Sequence, residues 1–439
     1  MSRALPSLRR NVSWAFIGHA VYAASQWLIL VVLARLGDPT MVGQFGLGLA
    51  LAAPAFMLCN LQLRVAVATD VRDTYGFGDY LGLRLLTTAA ALATIAVIAL
   101  GADYRPETAA VLLLVGVSKA VEAICDLCYG WFQKHERMAL WARSLILRGG
   151  LGLAAVGATL TAGAPITAAV VALAGVWLAV LAAHDVPAAL RLLRAADAPD
   201  AAGRADRAAS PIIRLDRARM SALVRLSWPL GLSMLFVSLT HNIPRYLVEH
   251  QLGEAGLGIF VAMAYVPLAG DVVVRALGQA ATPRLAKHYA DSQGEDPAAG
   301  LASFDRLLGR LLLLGLGFGV GGVVVALFAG ELVLALLFGP TYAAHADVFL
   351  WVMVGGGLLY LGSLLGYGVA ATRAFERFTG PYAAVAAVSL VAAATLVPRF
   401  GLAGAAWALC AVGVATAAAP LAILYALRRP QRRQTGRGA

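Results

Sequence analysis

Lys119, Glu122 and Asp126 stand three and four residues apart in an otherwise apolar stretch, so an α-helix brings all three to one face. Charges at this spacing have two uses at membrane depth. They can neutralise one another, or a carboxylate left over can bind a proton or a cation, because an ionisable group inside a bilayer is costly unless it is paired or used. His241, Asn242, Arg245 and Glu249 form a second set, again at spacings of three and four around Arg245, with Pro244 beside it to disturb the local helix. One reading pairs Arg245 with Glu249 near an interface, and the other points Arg245 at an anionic ligand. In the first apolar run His19, Tyr22 and Gln26 line up as a polar stripe, and His19 is a group that can titrate near neutral pH. Cys59, Cys125, Cys128 and Cys410 all fall in apolar runs, where a thiol behaves as a small hydrophobe. Cys125 and Cys128 have CxxC spacing but no βαβ context, so no metal or redox site is expected.

These groups need helices to hold them. Of the 439 residues 60% are hydrophobic and 13% charged, against roughly half and a quarter in soluble proteins. That composition excludes a water-soluble fold and gives an all-α polytopic membrane protein, since a spanning helix needs about 20 apolar residues. Apolar runs and breakers place twelve spans, near 13–36, 42–66, 80–100, 108–132, 140–162, 165–189, 222–249, 257–281, 304–329, 346–371, 379–398 and 402–427. The first, preceded by Arg3, Arg9 and Arg10, exceeds a signal-peptide core and reads as an uncleaved helix.

The formal charge of +11 is a topology signal. With the N-terminus in the cytoplasm, all of the 35 basic residues except Arg35, Arg105, Lys119, Arg245 and Arg399 fall on the inner side. Both termini are then cytoplasmic, outer loops are short, and nucleic acid is not an expected partner. The stretch 191–220, rich in Ala, Asp and Arg with Pro199 and Pro211, reads as a cytoplasmic linker whose end, from Ile212 to Leu226, forms a surface helix. The expected organisation is a six-helix lobe at 1–190, this linker, a second six-helix lobe at 221–427 and a basic tail at 428–439.

The halves repeat one another. Ser13-Trp14 recurs as Ser227-Trp228, Leu36-Gly37-Asp38 with Gly43-Gln44-Phe45 as Leu252-Gly253-Glu254 with Gly258-Ile259-Phe260, and Pro54 and Pro267 break the following spans at similar depth. Further on, Gly101 to Tyr104 answers Gly339 to Tyr342, Leu127 to Gly130 answers Leu365 to Gly368, and Glu136-Arg137-Met138 answers Glu376-Arg377-Phe378. Six spans per half make the repeats parallel, which is transporter architecture with a central cavity between the lobes. The place of the Lys119 face is taken in the second half by Gly357, Tyr360 and Leu364, so its chemistry belongs to the first half alone. Glycine clusters at 315–322 and 355–357 read as helix-packing surfaces.

The run Asn242-Ile243-Pro244-Arg245-Tyr246, then Ala276-Leu277-Gly278-Gln279 and Pro283 to Lys287, resembles the second half of bacterial polysaccharide translocases, and Leu33 to Gly37 with Leu337 to Tyr342 resembles other segments of them. The resemblance spans essentially the whole chain and implies the O-antigen and exopolysaccharide flippase branch of the multidrug/oligosaccharidyl-lipid/polysaccharide exporter superfamily. It implies a protein of the bacterial inner membrane, without catalytic residues or cofactor, that moves a polyprenyl-(pyro)phosphate-linked oligosaccharide from the inner to the outer leaflet by alternating access. Coupling to a proton or sodium gradient is open. Such a substrate needs cations for its diphosphate and polar or aromatic groups for its sugars. Arg245, Asn242, His241, Arg64, Arg275, Gln26 and Tyr22 are the expected substrate-binding residues, and Lys119, Glu122, Asp126, Glu249 and His19 the candidates for ion coupling. Partners would be the lipid-linked substrate, membrane lipids, and a polysaccharide polymerase and export proteins. A cation-coupled multidrug antiporter of the same superfamily is the alternative. A membrane glycosyltransferase or polymerase is more remote, because the outer loops are too short for a catalytic domain.

Overall fold

The computed structural model describes residues 8–70, 72–196, 212–293, 297–372 and 379–435, and among them every regular element is helical. The order is α1 (Leu8–Leu36), α2 (Pro39–Cys59), α3 (Leu63–Thr69), α4 (Phe77–Gly101), α5 (Pro106–Lys134), α6 (Met138–Thr161) and α7 (Ile166–Val180), which passes through a π-helical turn (Leu181–Asp185) into α8 (Val186–Ala196). The chain continues with α9 (Arg217–Ala264), α10 (Val266–Asp291), α11 (Pro297–Leu337), α12 (Pro340–Ala343), α13 (Ala346–Ala371) and α14 (Thr379–Thr435).

Local chemistry sets the starts and stops. Pro39 opens α2 behind Asp38, whose carboxylate accepts the Met41 N–H at 2.9 Å. Pro54 does not break its span as expected: it is carried inside α2, and the interruption falls later, at Leu61 (φ 49°) and Gln62 (φ 52°). Ten helical stretches are apolar and long enough to cross a membrane, and two of these contain a non-helical glycine, Gly253 (φ 70°) and Gly401 (φ 57°). A side chain at that φ would be strained, so glycine lets a span end and the next begin within one residue. Counting one span on either side of each glycine gives twelve among the described residues, at the places the apolar runs predicted.

Contacts divide the chain into two compact units, Met1–Leu235 and Phe236–Ala439. In the first, α5 is the hub, packed against α2, α3, α4, α6 and α7. In the second the hub is α13, against α10, α11 and α14. Each hub is the fourth span of its half, as the internal duplication implies. The predicted glycine clusters pack helices. A Cβ on Gly319 would lie 2.9 Å from the Cα of Gly357, so α11 and α13 touch backbone to backbone there.

The expected surface helix from Ile212 to Leu226 is not separate. Arg217 opens α9, and its first turns run straight into the seventh span. The residues on both sides of its start dock on the start of α4: the Arg214 N–H donates to the Gly78 carbonyl at 3.0 Å, and Arg219, in the first turn, pairs with buried Asp79 at 3.0 Å. Residues 197–211 of the linker, with Pro199 and Pro211, the Glu376-Arg377-Phe378 match and the side chains of the tail from residue 428 lie outside the described residues.

Candidate functional site

The polar face of α5 is where the first unit concentrates its charge. Glu122 is shared: its Oε2 accepts from Lys119 Nζ at 2.7 Å, its Oε1 accepts from the Tyr22 hydroxyl of α1 at 2.8 Å, and Arg148 Nη2 of α6 stands 3.7 Å from the same oxygen. Arg148 is 1% exposed, and its guanidinium lies 4.3 Å from the ring centre of Trp177, a cation–π contact that takes the place of water on that side. Its Nη1 donates to the Tyr129 hydroxyl at 3.0 Å.

From there a directed chain of hydrogen bonds crosses the unit. Tyr129 donates to Ser144 Oγ at 2.7 Å, Ser144 donates to Asp185 Oδ2 at 2.8 Å, and His184 Nδ1 meets Asp185 Oδ1 at 2.9 Å. Asp185 is fully buried and sits at the end of the π-helical turn, a local feature frequent at functional sites. Both hydroxyls accept from behind and give their proton onward, and the polarity ends at the Asp185 carboxylate, which only accepts.

Asp126 anchors the other half of the site. It stands 3.3 Å from Arg64 Nη1 and 3.6 Å from Arg84 Nη2, while Arg84 also bonds Asn60 Oδ1. Arg84 is 0% exposed. Arg64 lies over the Trp141 ring at 4.3 Å, and His19 meets that ring edge-on at 4.8 Å. The Nε and Nη2 of both Arg84 and Arg148 make no hydrogen bond among the described residues, the Nη2 atoms because their ion-pair distances of 3.6 and 3.7 Å are too long for one. Arg64, Arg84, Lys119 and Arg148 therefore oppose Glu122, Asp126 and Asp185, four cations against three carboxylates. Arg148 begins the eleventh residue of α6, about 15 Å from the helix start at 1.5 Å per residue, so the array runs from a helix end to mid-span.

The expected triad on α5 is thus not self-contained. Only Lys119 and Glu122 pair with each other, and Asp126 turns to arginines of α3 and α4. Arg64, Tyr22, Lys119, Glu122, Asp126 and, through Trp141, His19 belong to one cluster. Gln26 does not join it, and its buried Nε2 has no partner among the described residues. Three members were missed in the sequence: Arg84 and Arg148 counted as orientation signals, and Asp185 went unremarked. Depth was the available signal, since Arg148 falls eight residues inside the predicted start of its span.

The second unit is simpler. Arg245 Nη1 donates to Asn242 Oδ1 at 3.1 Å and lies 5.6 Å from the Tyr265 ring centre, while Asn242 donates to the Ser238 carbonyl at 2.9 Å. The Arg245 to Glu249 pair is not formed. His241 is exposed and Glu249 partly buried. Arg275 pairs with Asp271 on its own helix and is 62% exposed, unlike Arg64 in the first unit. Where α5 carries its charges, α13 has Tyr360, whose hydroxyl donates to the Pro267 carbonyl.

Beyond the spans, Asp70 organises the loop into α4. Burial works to raise its pKa, but the N–H groups of Tyr75 and Thr74, both at 3.0 Å, the charge of Lys134 and the Tyr80 hydroxyl hold it below the usual carboxylate range.

Comparison with known proteins agrees with this architecture. The capsular polysaccharide biosynthesis protein CapF of Staphylococcus aureus is 26% identical over 405 residues, covering 90% of this chain and 94% of that protein. The lipid II flippase MurJ in its inward closed conformation superposes with a TM-score of 0.67 at 10% identity, over 93% of this chain and 87% of that one. An outward-facing multidrug resistance MATE family transporter of the MOP superfamily superposes with a TM-score of 0.56 at 16% identity, over 93% and 92%. At these identities the two structures establish a shared fold, an all-α polytopic membrane fold. The family described as polysaccharide biosynthesis protein matches residues 8–288, well over half of the sequence, and the chain belongs to that family.

Proposed function

We propose that the protein is a flippase that carries a polyprenyl-(pyro)phosphate-linked oligosaccharide from the inner to the outer leaflet of the bacterial inner membrane by alternating access. The observation that carries this reading is the excess of cations in the first unit. Four of them surround three carboxylates, two of the four are fully buried, and both of these keep N–H groups unfilled. A diphosphate supplies what such a site lacks: dense negative charge and several acceptor oxygens that suit a guanidinium fork. Arg64 and Lys119 are the partly exposed cations of the array, with side chains 24% and 26% exposed, and would meet the ligand. Arg84 and Arg148 would hold the field behind them. Family membership and the capsular relative support a role in surface polysaccharide assembly.

The test is complementation of a flippase-null strain with Arg64→Gln, Lys119→Gln and Arg245→Gln, scoring surface polysaccharide at matched membrane expression. The first two are expected to lose most activity. Full activity in all three would overturn the proposal.

A further inference from the structure

A second concentration of positive charge lies inside the second unit. Between the end of α10 and the start of α11 a concavity of about 240 Å³ is lined by Arg284, His288, Ser303, Arg306, Leu307 and Arg310. Arg284 and His288 are four residues apart on α10, and Arg306 and Arg310 four apart on α11, so two turns of each helix present cationic or N–H groups to one space. Among the described residues no carboxylate lines it. At its rim Asp291 comes only to 3.9 Å from His288 Nδ1.

Convergence without a carboxylate between them is the informative point. Arg64, Arg84, Arg148, Arg219 and Arg275 each stand within 4 Å of a carboxylate. Arg284, Arg306 and Arg310 make no ion pair or hydrogen bond among the described residues, although they converge. Three like charges around one concavity repel unless an anion sits between them. Orientation by the positive-inside rule asks only that arginines lie on one side, and does not ask them to share a pocket.

We propose that this concavity binds a phosphoryl group, chiefly that of an anionic lipid headgroup. Three guanidiniums and the Ser303 hydroxyl supply donors for all the non-bridging oxygens of a phosphate ester. The setting favours a lipid as its carrier. One residue beyond Arg310 the helix becomes apolar, and Leu313 and Leu314 are 69% and 51% exposed, so the pocket lies where a charged surface meets one suited to acyl chains. Free phosphate offers the same oxygens without the chains. The proposal stands independently of the transported substrate.

The test uses purified full-length protein in detergent. Thermal unfolding is followed with added phosphatidylglycerol, phosphatidylcholine or inorganic phosphate, and retained phospholipid is counted by native mass spectrometry. Three proteins are compared: the wild type, Arg306→Gln/Arg310→Gln, and Arg143→Gln/Arg191→Gln, which removes the same charge elsewhere. Phosphatidylglycerol is expected to stabilise the wild type and the control alike, several-fold more weakly the pocket variant, and less at higher salt. Equal stabilisation by inorganic phosphate would keep the phosphoryl site and make its source soluble. Equal losses in the two double variants, or no preference for phosphatidylglycerol together with no response to phosphate, would overturn it. If the glutamine pair does not fold, Arg306→Lys/Arg310→Lys keeps the charge without the fork, and intermediate retention is expected; retention equal to the wild type would count against the site.

Discussion

Arg148 Nη2 and Glu122 Oε1 stand 3.7 Å apart between two helices, at mid-span, with the arginine almost wholly enclosed. Losing Glu122 strands the enclosed Arg148, whereas losing Arg148 leaves Glu122 its bond to Lys119. Removing one partner of a buried pair typically costs about 3–5 kcal/mol, so Glu122→Gln and Arg148→Gln should each lower the thermal midpoint of the purified protein by several degrees. The double variant should cost clearly less than the two added together, and strict additivity would show that the pair is not coupled.

Tyr129 and Ser144 carry the link from Arg148 to Asp185. Replacing either by Phe or Ala leaves a buried charged group short of one partner, at a cost of about 1–3 kcal/mol. Tyr129→Phe and Ser144→Ala are therefore expected to be destabilising in detergent-solubilised protein although each removes only one or two polar atoms. A neutral result in both would show that the chain does not act as a unit.

Asp126 and Asp73 both pair with cations, yet their settings differ. Asp73 meets Lys134 at 2.7 Å, with its own side chain 58% exposed and that of Lys134 13% exposed, so water screens the carboxylate side of the pair only. Asp126 balances Arg64 and the enclosed Arg84. Asp126→Asn, which takes the carboxylate from two arginines, should lower the unfolding temperature more than Asp73→Asn, which takes it from one lysine; equal losses would show that enclosed Arg84 does not depend on Asp126.

Asp70 gives the loop into α4 a pH response. Its folded pKa lies below that of the unfolded chain, so its contribution is complete above the unfolded value, about 3.9, and is lost as pH falls through the folded value. Protection of the Thr74 and Tyr75 amides from exchange, taken relative to the unfolded chain at the same pH, should be high at neutral pH and fall on acidification below about pH 4. In Asp70→Asn the same amides should exchange faster at neutral pH and lose that dependence.

Twelve spans were legible because apolar runs of about 20 residues have few other uses, and the repeat was legible because Leu36-Gly37-Asp38 and Leu252-Gly253-Glu254 mark equivalent turns. The clustering of Lys119, Glu122 and Asp126 on one face followed from helical spacing. Which partners those groups choose did not, since Asp126 meets Arg64 and Arg84 from 62 and 42 residues away, and spacing along one helix says nothing of neighbours across it. Arginine near a span end carries the same letter whether it faces water or a carboxylate. That ambiguity hid Arg84 and Arg148 among the orientation signals.

The π-helical turn at Leu181–Asp185 has a consequence for reading this span as a code. One extra residue in a turn rotates everything beyond it by about 100°, the angle of a single helical step. The stretch from Ile166 to Ala196 is therefore two helical phases joined end to end, and a stripe traced from Trp177 by steps of three and four loses its heading at Leu181. Asp185 reaches Ser144 because the chain is one residue longer there than an unbroken helix needs. Chain length at that turn, as much as the identity of residue 185, decides where the carboxylate arrives.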